Sequence, residues 1–413
     1  MLNANQNKTK NNALPLSIFL GVLIVARLSC VALSNVPFMS VGFIFLYAAL
    51  FIVLFLLTAS KIEKIEACAL GALLLYLFEV IFSTVIAKKG LFETQAFNAY
   101  ILTILFFLYL FTKRIPDKYQ KLFTIIILFG YIFTFIYSIV KLAQDPMLSR
   151  VAATGRYDDA TVDSLGAIGG FDAVYGGLLV FVIMLYLCGI VKNKWLKAFF
   201  VLSCVCCAVF IFMATYATAI VLLVVALALM IFKRSKLSAF LLILALLVCY
   251  FFRANIGDYI MSWSKTVNYS DIFQEKMYQI GYMIKFGESA GTLAGEEGRW
   301  ARMGWSWDTF LQHPLFGGFT VDNAKIGSHS EVFDLLGRFG LYGFVSLFVF
   351  FVYLFRDIAK NLSTKTGKNM LFVCIILYLL ISILDPSLYT QQVLPIFMLL
   401  PFVEKWKKKE VAV

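Results

Sequence analysis

Long apolar segments recur along nearly the whole chain, and they constrain its fold more than any other feature. A helix needs about 20 apolar residues to cross the roughly 30 Å hydrocarbon layer of a bilayer, because it rises about 1.5 Å per residue. The segments that reach or approach this length are 15–34, 37–59, 66–87, 97–112, 121–142, 167–191, 196–213, 216–232, 237–253, 332–355, 370–385 and 388–403. The sequence therefore predicts an all-α polytopic membrane protein of about twelve transmembrane helices.

The composition favours the same fold class. Hydrophobic residues make up 61% of the chain and charged residues only 15%, whereas soluble domains carry about 25% charged residues. The 8 cysteines lie inside apolar segments. Their spacing suits neither a disulfide framework nor a zinc site, so we interpret them as small core residues.

The distribution of basic residues predicts the orientation in the membrane. With the N-terminus inside, the inner segments hold most of the 36 Lys and Arg residues, as cytoplasmic loops do. The outer segments hold 11, of which seven lie in the long segment from Arg253 to Lys325, and only Lys88 and Lys89 argue against the bias. The net charge of +12 is thus a topology signal, and we expect no nucleic-acid partner.

This topology divides the chain into three parts. Residues 1–253 hold helices 1–9 with an outer loop at 143–166, and residues 254–331 form a long extracytoplasmic (periplasmic) loop domain. Residues 332–413 hold helices 10–12 and a basic cytoplasmic tail. We expect the chemistry in the long outer loop.

Both histidines of the chain, His313 and His329, lie in that loop. They indicate an outward-facing reaction centre, or they are ordinary loop residues. Within 298–318 the apolar and aromatic residues recur at helical spacing, which predicts a helix that ends near Pro314. Arg299 and Arg302 are three residues apart, on neighbouring positions of one helix face. They either contact phospholipid headgroups at the interface or bind a phosphate with their planar guanidinium groups.

A polar segment leads from His329 into the tenth predicted helix, where glycines recur at Gly337, Gly340 and Gly343. Small residues at this spacing let helices approach closely in lipid. We therefore expect His329 at the water boundary, on top of a tightly packed helix.

These segments resemble the signature of the O-antigen ligase and O-antigen polymerase superfamily. That signature is a His followed by Asn, Ser or Gln, then nine residues, Gly, two residues, Gly and an apolar residue, and it is filled here by His329, Ser330, Gly340, Gly343 and Phe344. The upstream sequence GRW…DTFLQHPLFGG is similar to the arginine helix of the family, which runs into a Pro-Leu-hydrophobic-Gly turn. A long outer loop between helices 9 and 10 of 12 is also the family's GT-C-like plan.

The resemblance implies a metal-independent, inverting glycosyltransferase without a cofactor. It would lie in the bacterial cytoplasmic (inner) membrane as a multi-pass protein, with its active site on the periplasmic (extracytoplasmic) face. The donor in this family is an oligosaccharide on undecaprenyl pyrophosphate. The acceptor is another lipid-linked repeat unit in a polymerase, or the lipid A core of lipopolysaccharide in a ligase. The implied partners are membrane lipids, a flippase and a chain-length regulator.

The resemblance also implies roles for individual residues. His329 would be the base that takes a proton from the acceptor hydroxyl, for which histidine's ordinary pKa of about 6.5 is suitable. Arg299, Arg302 and Arg156 would bind the pyrophosphate and stabilise its developing charge.

One departure bears on the choice between the two activities. Ligases of the family carry an arginine in a Ser/Thr-rich element that enters helix 8, whereas residues 215–219 here read TYATA. This favours a repeat-unit polymerase, for O-antigen, capsule or exopolysaccharide, over a ligase. A secondary transporter is the alternative from another class, although the basic motif and broken paired helices of common transporters are missing from the sequence. A structural scaffold for glycan assembly is a third alternative.

Four charged residues interrupt apolar segments or lie at their ends. Arg27 and Glu79 lie about 18 Å and about 20 Å from the inner ends of their predicted helices, at 1.5 Å per residue. Their matched depth predicts an ion pair, since charges inside a membrane are usually partnered. Asp172 and Asp385 lie at outer helix ends, either at the interface or along a cleft for the lipid carrier.

Overall fold

The computed structural model describes residues 2–58, 62–86, 94–145, 148, 168–232, 251–267, 271–286, 299–318 and 324–406. Within these ranges the secondary structure is helical, without a β-strand. The α-helices are α1 (Leu2–Ser29), α2 (Val41–Thr58), α3 (Lys64–Ile86), α4 (Thr94–Arg114), α5 (Asp117–Gln144), α6 (Phe171–Ile190), α7 (Lys194–Met213), α8 (Ala217–Phe232), α9 (Arg253–Thr266), α10 (Asp271–Phe286), α11 (Arg299–Gln312), α12 (Glu331–Asn361), α13 (Lys365–Leu384) and α14 (Thr390–Met398).

In the part of the chain that the structure describes, 7 helices are long and apolar enough to cross a membrane: α3, α4, α5, α6, α7, α12 and α13. Three shorter apolar helices cover Ala13–Ser29, Val41–Leu57 and Thr218–Met230. The protein is therefore an all-α membrane protein. Most of the predicted ninth span, residues 237–250, lies outside the described residues, so the number of twelve spans stays a prediction.

Local sequence explains where several helices begin. Asn193, Ser330 and Thr364 each precede a helix, and their side chains accept hydrogen bonds from backbone N–H groups of the first turn. A tight turn at residues 214–215 separates α7 from α8, with Thr215 in the left-handed region at φ 59°.

The helix α14 lies at the centre of the bundle, against α6 and α4. Its residues from Gln391 to Met398 are all buried. The candidate span 388–403 is not one regular helix, because α14 ends at Met398 and the chain continues as a 3-10 helix, Leu400–Trp406. Pro395 has no N–H to donate to the Gln391 carbonyl one turn earlier. Tyr131 donates its hydroxyl to that carbonyl instead.

A buried ion cluster ties three helices together at the end of the bundle predicted to face the cytoplasm. The Lys113 ammonium lies 3.0 Å from Glu66 and 3.1 Å from Asp357. Arg114 also pairs with Glu66, and Tyr109 donates to Asp357 at 2.5 Å. The start of α3 therefore meets the ends of α4 and α12, as the predicted alternation of helices requires.

The predicted ion pair of Arg27 with Glu79 is wrong. The helix α1 packs against α2 and α5, whereas α3 packs against α12 and α4. Both carboxyl oxygens of Glu79 are buried and have no hydrogen-bond partner among the described residues. Arg27 instead donates from Nε to the Met39 carbonyl at 3.0 Å. Depth along two helices does not decide which faces meet.

The turn that follows α11 lies against a break in α12. Gly340 has φ 61° and ψ −157° and interrupts the helix. The N–H groups of Leu341 and Tyr342 lose their helical partners there, and they donate to the carbonyls of Pro314 at 2.8 Å and Leu315 at 3.1 Å. The neighbour of Gly340 is therefore a turn, whereas the predicted close approach to another helix is found at Gly337, where a Cβ would lie 2.7 Å from the Ser306 carbonyl oxygen in α11.

Replacement of Gly340 by alanine should lower the stability of the protein. A Cβ there would lie 2.5 Å from the Leu315 carbonyl carbon, and a positive φ costs a non-glycine residue about 1–3 kcal/mol. The measurement is thermal unfolding in detergent, followed by tryptophan fluorescence. Gly71→Ala is the matched control, because a Cβ at that helical position meets nothing within 4 Å. Equal unfolding temperatures for the two variants would contradict the strain assigned to Gly340.

Candidate functional site

The packing of α11 against the start of α12 brings two of the predicted site residues together. Arg302 lies in the first turn of α11, and His329 lies two residues before α12. Arg302 Nη1 is 2.8 Å from His329 Nε2. An arginine can only donate, so Nε2 accepts this hydrogen bond and the proton of the neutral imidazole resides on Nδ1. Both side chains are partly exposed.

The buried Asp334 carboxylate holds the segment that carries His329. Its Oδ1 accepts hydrogen bonds from Ser306 Oγ at 2.6 Å and from the Ser328 N–H at 3.1 Å. Its Oδ2 accepts from the Ser330 N–H at 3.1 Å. One carboxylate therefore fixes the backbone on both sides of His329 and links it to α11.

Further contacts complete this support. Ser306 Oγ accepts from the Gly327 N–H at 2.9 Å, and Arg338 donates to Ser328 Oγ at 2.9 Å. Ser328 itself has a φ of 54°, in the region that ordinary residues rarely adopt. The network holds this conformation, so the orientation of His329 is set by many contacts.

Sequence reasoning did not identify Ser306, Asp334 or Arg338. A signal for two of them exists: Ser330, Asp334 and Arg338 recur every four residues and therefore share one face of α12. The glycine spacing dominates the interpretation of this segment, so the polar face formed by Ser330, Asp334 and Arg338 was not recognised. Ser306 offers no comparable signal, because it is one small residue in an aromatic helix.

The start of α12 is also tied to the loop before α14. The Glu331 N–H donates to the Asp385 carbonyl at 3.3 Å, and Glu331 Oε2 accepts from the N–H groups of Ser387 at 2.9 Å and Leu388 at 3.2 Å. Tyr175 in α6 donates to Asp385 Oδ2 at 2.6 Å. Asp385 is thus a buried structural link between α6, α12 and α13.

Asp172 has a different environment. It lines a cavity of about 250 Å³ together with Arg27, Ser34, Thr390 and Gln391. Of the two alternatives for Asp172, the cavity agrees with a position along a cleft, whereas its use by a lipid carrier stays a prediction. Arg27 lies in the same cavity, so the two charged residues share a polar site within the helical bundle.

The remaining predicted site residues are only partly described. Arg299 is the first residue of α11, but its side chain lies outside the described residues, and so does all of Arg156. His313 lies 11 residues beyond Arg302, about 16 Å along a helix axis, so it is too far away to share a reacting atom with His329. Among the described residues no group of three His, Cys, Asp or Glu side chains could hold a metal ion.

Comparison of the chain with protein-family models finds no matching family, and comparison with curated proteins finds no similar sequence. The assignment of function therefore depends on the geometry of the site and on the motif resemblance.

Replacement of Asp334 by asparagine should release the backbone around His329. An amide side chain cannot accept from all three donors, and hydrogen bonds to a charged group contribute about 1.5–3 kcal/mol. We expect faster hydrogen exchange at the amides of Ser328 and Ser330, measured by mass spectrometry of the protein in nanodiscs. Asp308→Asn on the exposed face of α11 is the control. Unchanged exchange in Asp334→Asn would show that the carboxylate does not hold the segment.

Proposed function

We propose that this protein is a polysaccharide repeat-unit polymerase, for O-antigen, capsule or exopolysaccharide. It would transfer a glycan from undecaprenyl pyrophosphate to a lipid-linked repeat-unit acceptor, by a metal-independent and inverting reaction on the extracytoplasmic face of the bacterial cytoplasmic membrane. The observation that supports this most is the direct contact of Arg302 with His329 at the mouth of a predicted transmembrane helix. A potential base and a phosphate-binding cation thereby lie within one hydrogen bond of each other.

The chemistry requires both groups. The acceptor hydroxyl oxygen attacks the anomeric carbon of the donor, and its proton passes to His329 Nε2. The bond from that carbon to the phosphate oxygen breaks, and undecaprenyl pyrophosphate leaves with the electron pair. Guanidinium groups stabilise the charge that develops on the leaving group. Attack from the side opposite the leaving group inverts the anomeric configuration.

The hydrogen bond between Arg302 and His329 couples the binding of pyrophosphate to the availability of the base. Arg302 occupies the nitrogen lone pair that must accept the proton. A phosphate oxygen is a stronger acceptor for a guanidinium than a neutral imidazole, because the hydrogen bond is then charge-assisted at both ends. Binding of the pyrophosphate to Arg302 would therefore free Nε2 for the acceptor hydroxyl.

Other residues of the proposal come from the family resemblance. It assigns Arg299 and Arg156 to the pyrophosphate, beside Arg302, and it assigns a flippase and a chain-length regulator as partners. The absence of an arginine from residues 215–219 is the reason for proposing a polymerase in place of a ligase that acts on the lipid A core.

Purified protein supplied with lipid-linked repeat units should give a ladder of longer glycans on a gel. His329→Ala should abolish the ladder, because no base remains to accept the proton, while the variant stays in the membrane. His313→Ala is the matched control and should leave the ladder intact. Single-step transfer to core lipid would instead identify a ligase, and solute uptake without transfer would favour a secondary transporter. An active His329→Ala variant would show that His329 is not the base.

Replacement of Arg302 by alanine should lower kcat by about 100-fold, because removal of one group that stabilises transition-state charge typically costs 10²–10³ in rate. Arg302→Lys should recover only part of the loss, since lysine keeps the charge but loses the planar fork. Steady-state kinetics with the lipid-linked donor measure both effects. Arg356→Ala, an exposed arginine near the far end of α12, serves as the control. A change confined to KM would assign Arg302 to ground-state binding alone.

A further inference from the structure

The cavity that contains Arg27 and Asp172 has the features of a binding site in its own right. It measures about 250 Å³ and lies between α1, α2, α4, α6 and α14. Its polar lining consists of Arg27, Ser34, Asp172, Thr390 and Gln391, and its apolar lining includes Phe45 and Phe97. An ionisable residue inside a membrane bundle is costly and usually marks a functional site.

Arg27 and Asp172 line the cavity together, and no hydrogen bond joins them among the described contacts. Arg27 uses Nε to bind the Met39 carbonyl, and Asp172 Oδ1 accepts from the Ala173 N–H at 2.9 Å. The guanidinium and the carboxylate together leave the lining with no net charge. An anion such as free phosphate would be attracted by Arg27 but repelled by Asp172, so a neutral polar ligand fits better.

The hydrogen-bonding groups favour hydroxyls. Gln391 lines the cavity and is 4% exposed, and its buried Oε1 has no hydrogen-bond partner among the described residues. Such an acceptor costs free energy until a donor meets it. The Asp172 carboxylate also accepts, while Arg27 donates. A hydroxyl both donates and accepts, so a ligand with several hydroxyls can bond to all three side chains.

The size accommodates one small ring. One water molecule needs about 10–15 Å³ of this kind of cavity volume, so a cavity of about 250 Å³ has room for a six-membered sugar ring. The aromatic rings of Phe45 and Phe97 offer apolar surface for the C–H face of such a ring.

We propose that the Arg27–Asp172–Gln391 cavity binds one sugar ring. Gln391 and Thr390 come directly after the loop that holds the start of α12, so the cavity lies at the same end of the bundle as His329. The identity of the ring as part of the transferred glycan rests on the proposed function; the binding of a sugar does not.

The test uses the full chain in nanodiscs and a set of methyl glycosides of glucose, galactose, mannose and N-acetylglucosamine. Saturation-transfer NMR should show binding of at least one glycoside. Asp172→Asn and Gln391→Leu, which nearly preserve side-chain volume, should each weaken that binding by at least tenfold. Asp117→Asn, at an exposed position near the other end of the bundle, should leave it unchanged. Thermal unfolding identifies a misfolded variant. If either Asp172→Asn or Gln391→Leu is misfolded, the binding measured with the other one tests the proposal.

Several outcomes would overturn the proposal: no glycoside binds, binding survives in both cavity variants, or inorganic pyrophosphate displaces the glycoside in the wild-type protein but not in Arg27→Gln. The glycan-ladder assay is separate. Glycoside binding without a ladder would support the sugar site and contradict the polymerase activity. A ladder without glycoside binding would support the polymerase activity and contradict the sugar site.

Discussion

Close contact between two backbones, that of α11 with its following turn and that of α12, holds the His329 region in place. Glycine is required wherever they meet: a Cβ at Gly337 would lie 2.7 Å from the Ser306 carbonyl oxygen, and one at Gly317 would lie 2.5 Å from the Phe339 nitrogen. With side chains at these positions α11 would move outward and take Arg302 away from the imidazole. The glycines of the motif thus allow α11 and α12 to lie close enough for Arg302 to contact His329, although no glycine takes part in the reaction.

The same constraint explains how interrupted helices persist in an apolar bundle. Backbone groups at membrane depth need partners, and a broken helix is tolerated where protein surrounds it. The break at Gly340 is satisfied by carbonyls of the turn. The proline interruption in α14 is satisfied by the Tyr131 hydroxyl, within a helix that is buried from Gln391 to Met398.

Much of this fold is predictable from sequence because the relevant signals are local. Apolar length predicted most helices to within a few residues, and the glycine and proline positions predicted where α11 ends. Contacts between distant segments were harder to predict. Arg27 and Glu79 share a depth but face different neighbours, and hydropathy carries no information on rotation about a helix axis. The spacing of Ser330, Asp334 and Arg338 marks a polar helix face, but it does not reveal the contacts of Asp334 with Ser306 and Ser328, which approach it only after α11 folds back onto α12.

The loop between α13 and α14 joins the His329 region to the cavity. Ser330 Oγ donates to the Ser382 carbonyl at 3.2 Å, Ser382 Oγ lies 2.7 Å from Ser387 Oγ, and the Ser387 N–H donates to Glu331. Gln391 follows four residues after Ser387. A shift at the start of α12 would therefore displace the loop and, with it, the cavity residue Gln391. Reacting groups gain most when their separation is fixed in advance. Buried hydrogen bonds across this loop supply that rigidity, and they explain why polar side chains concentrate here in a chain that is otherwise apolar.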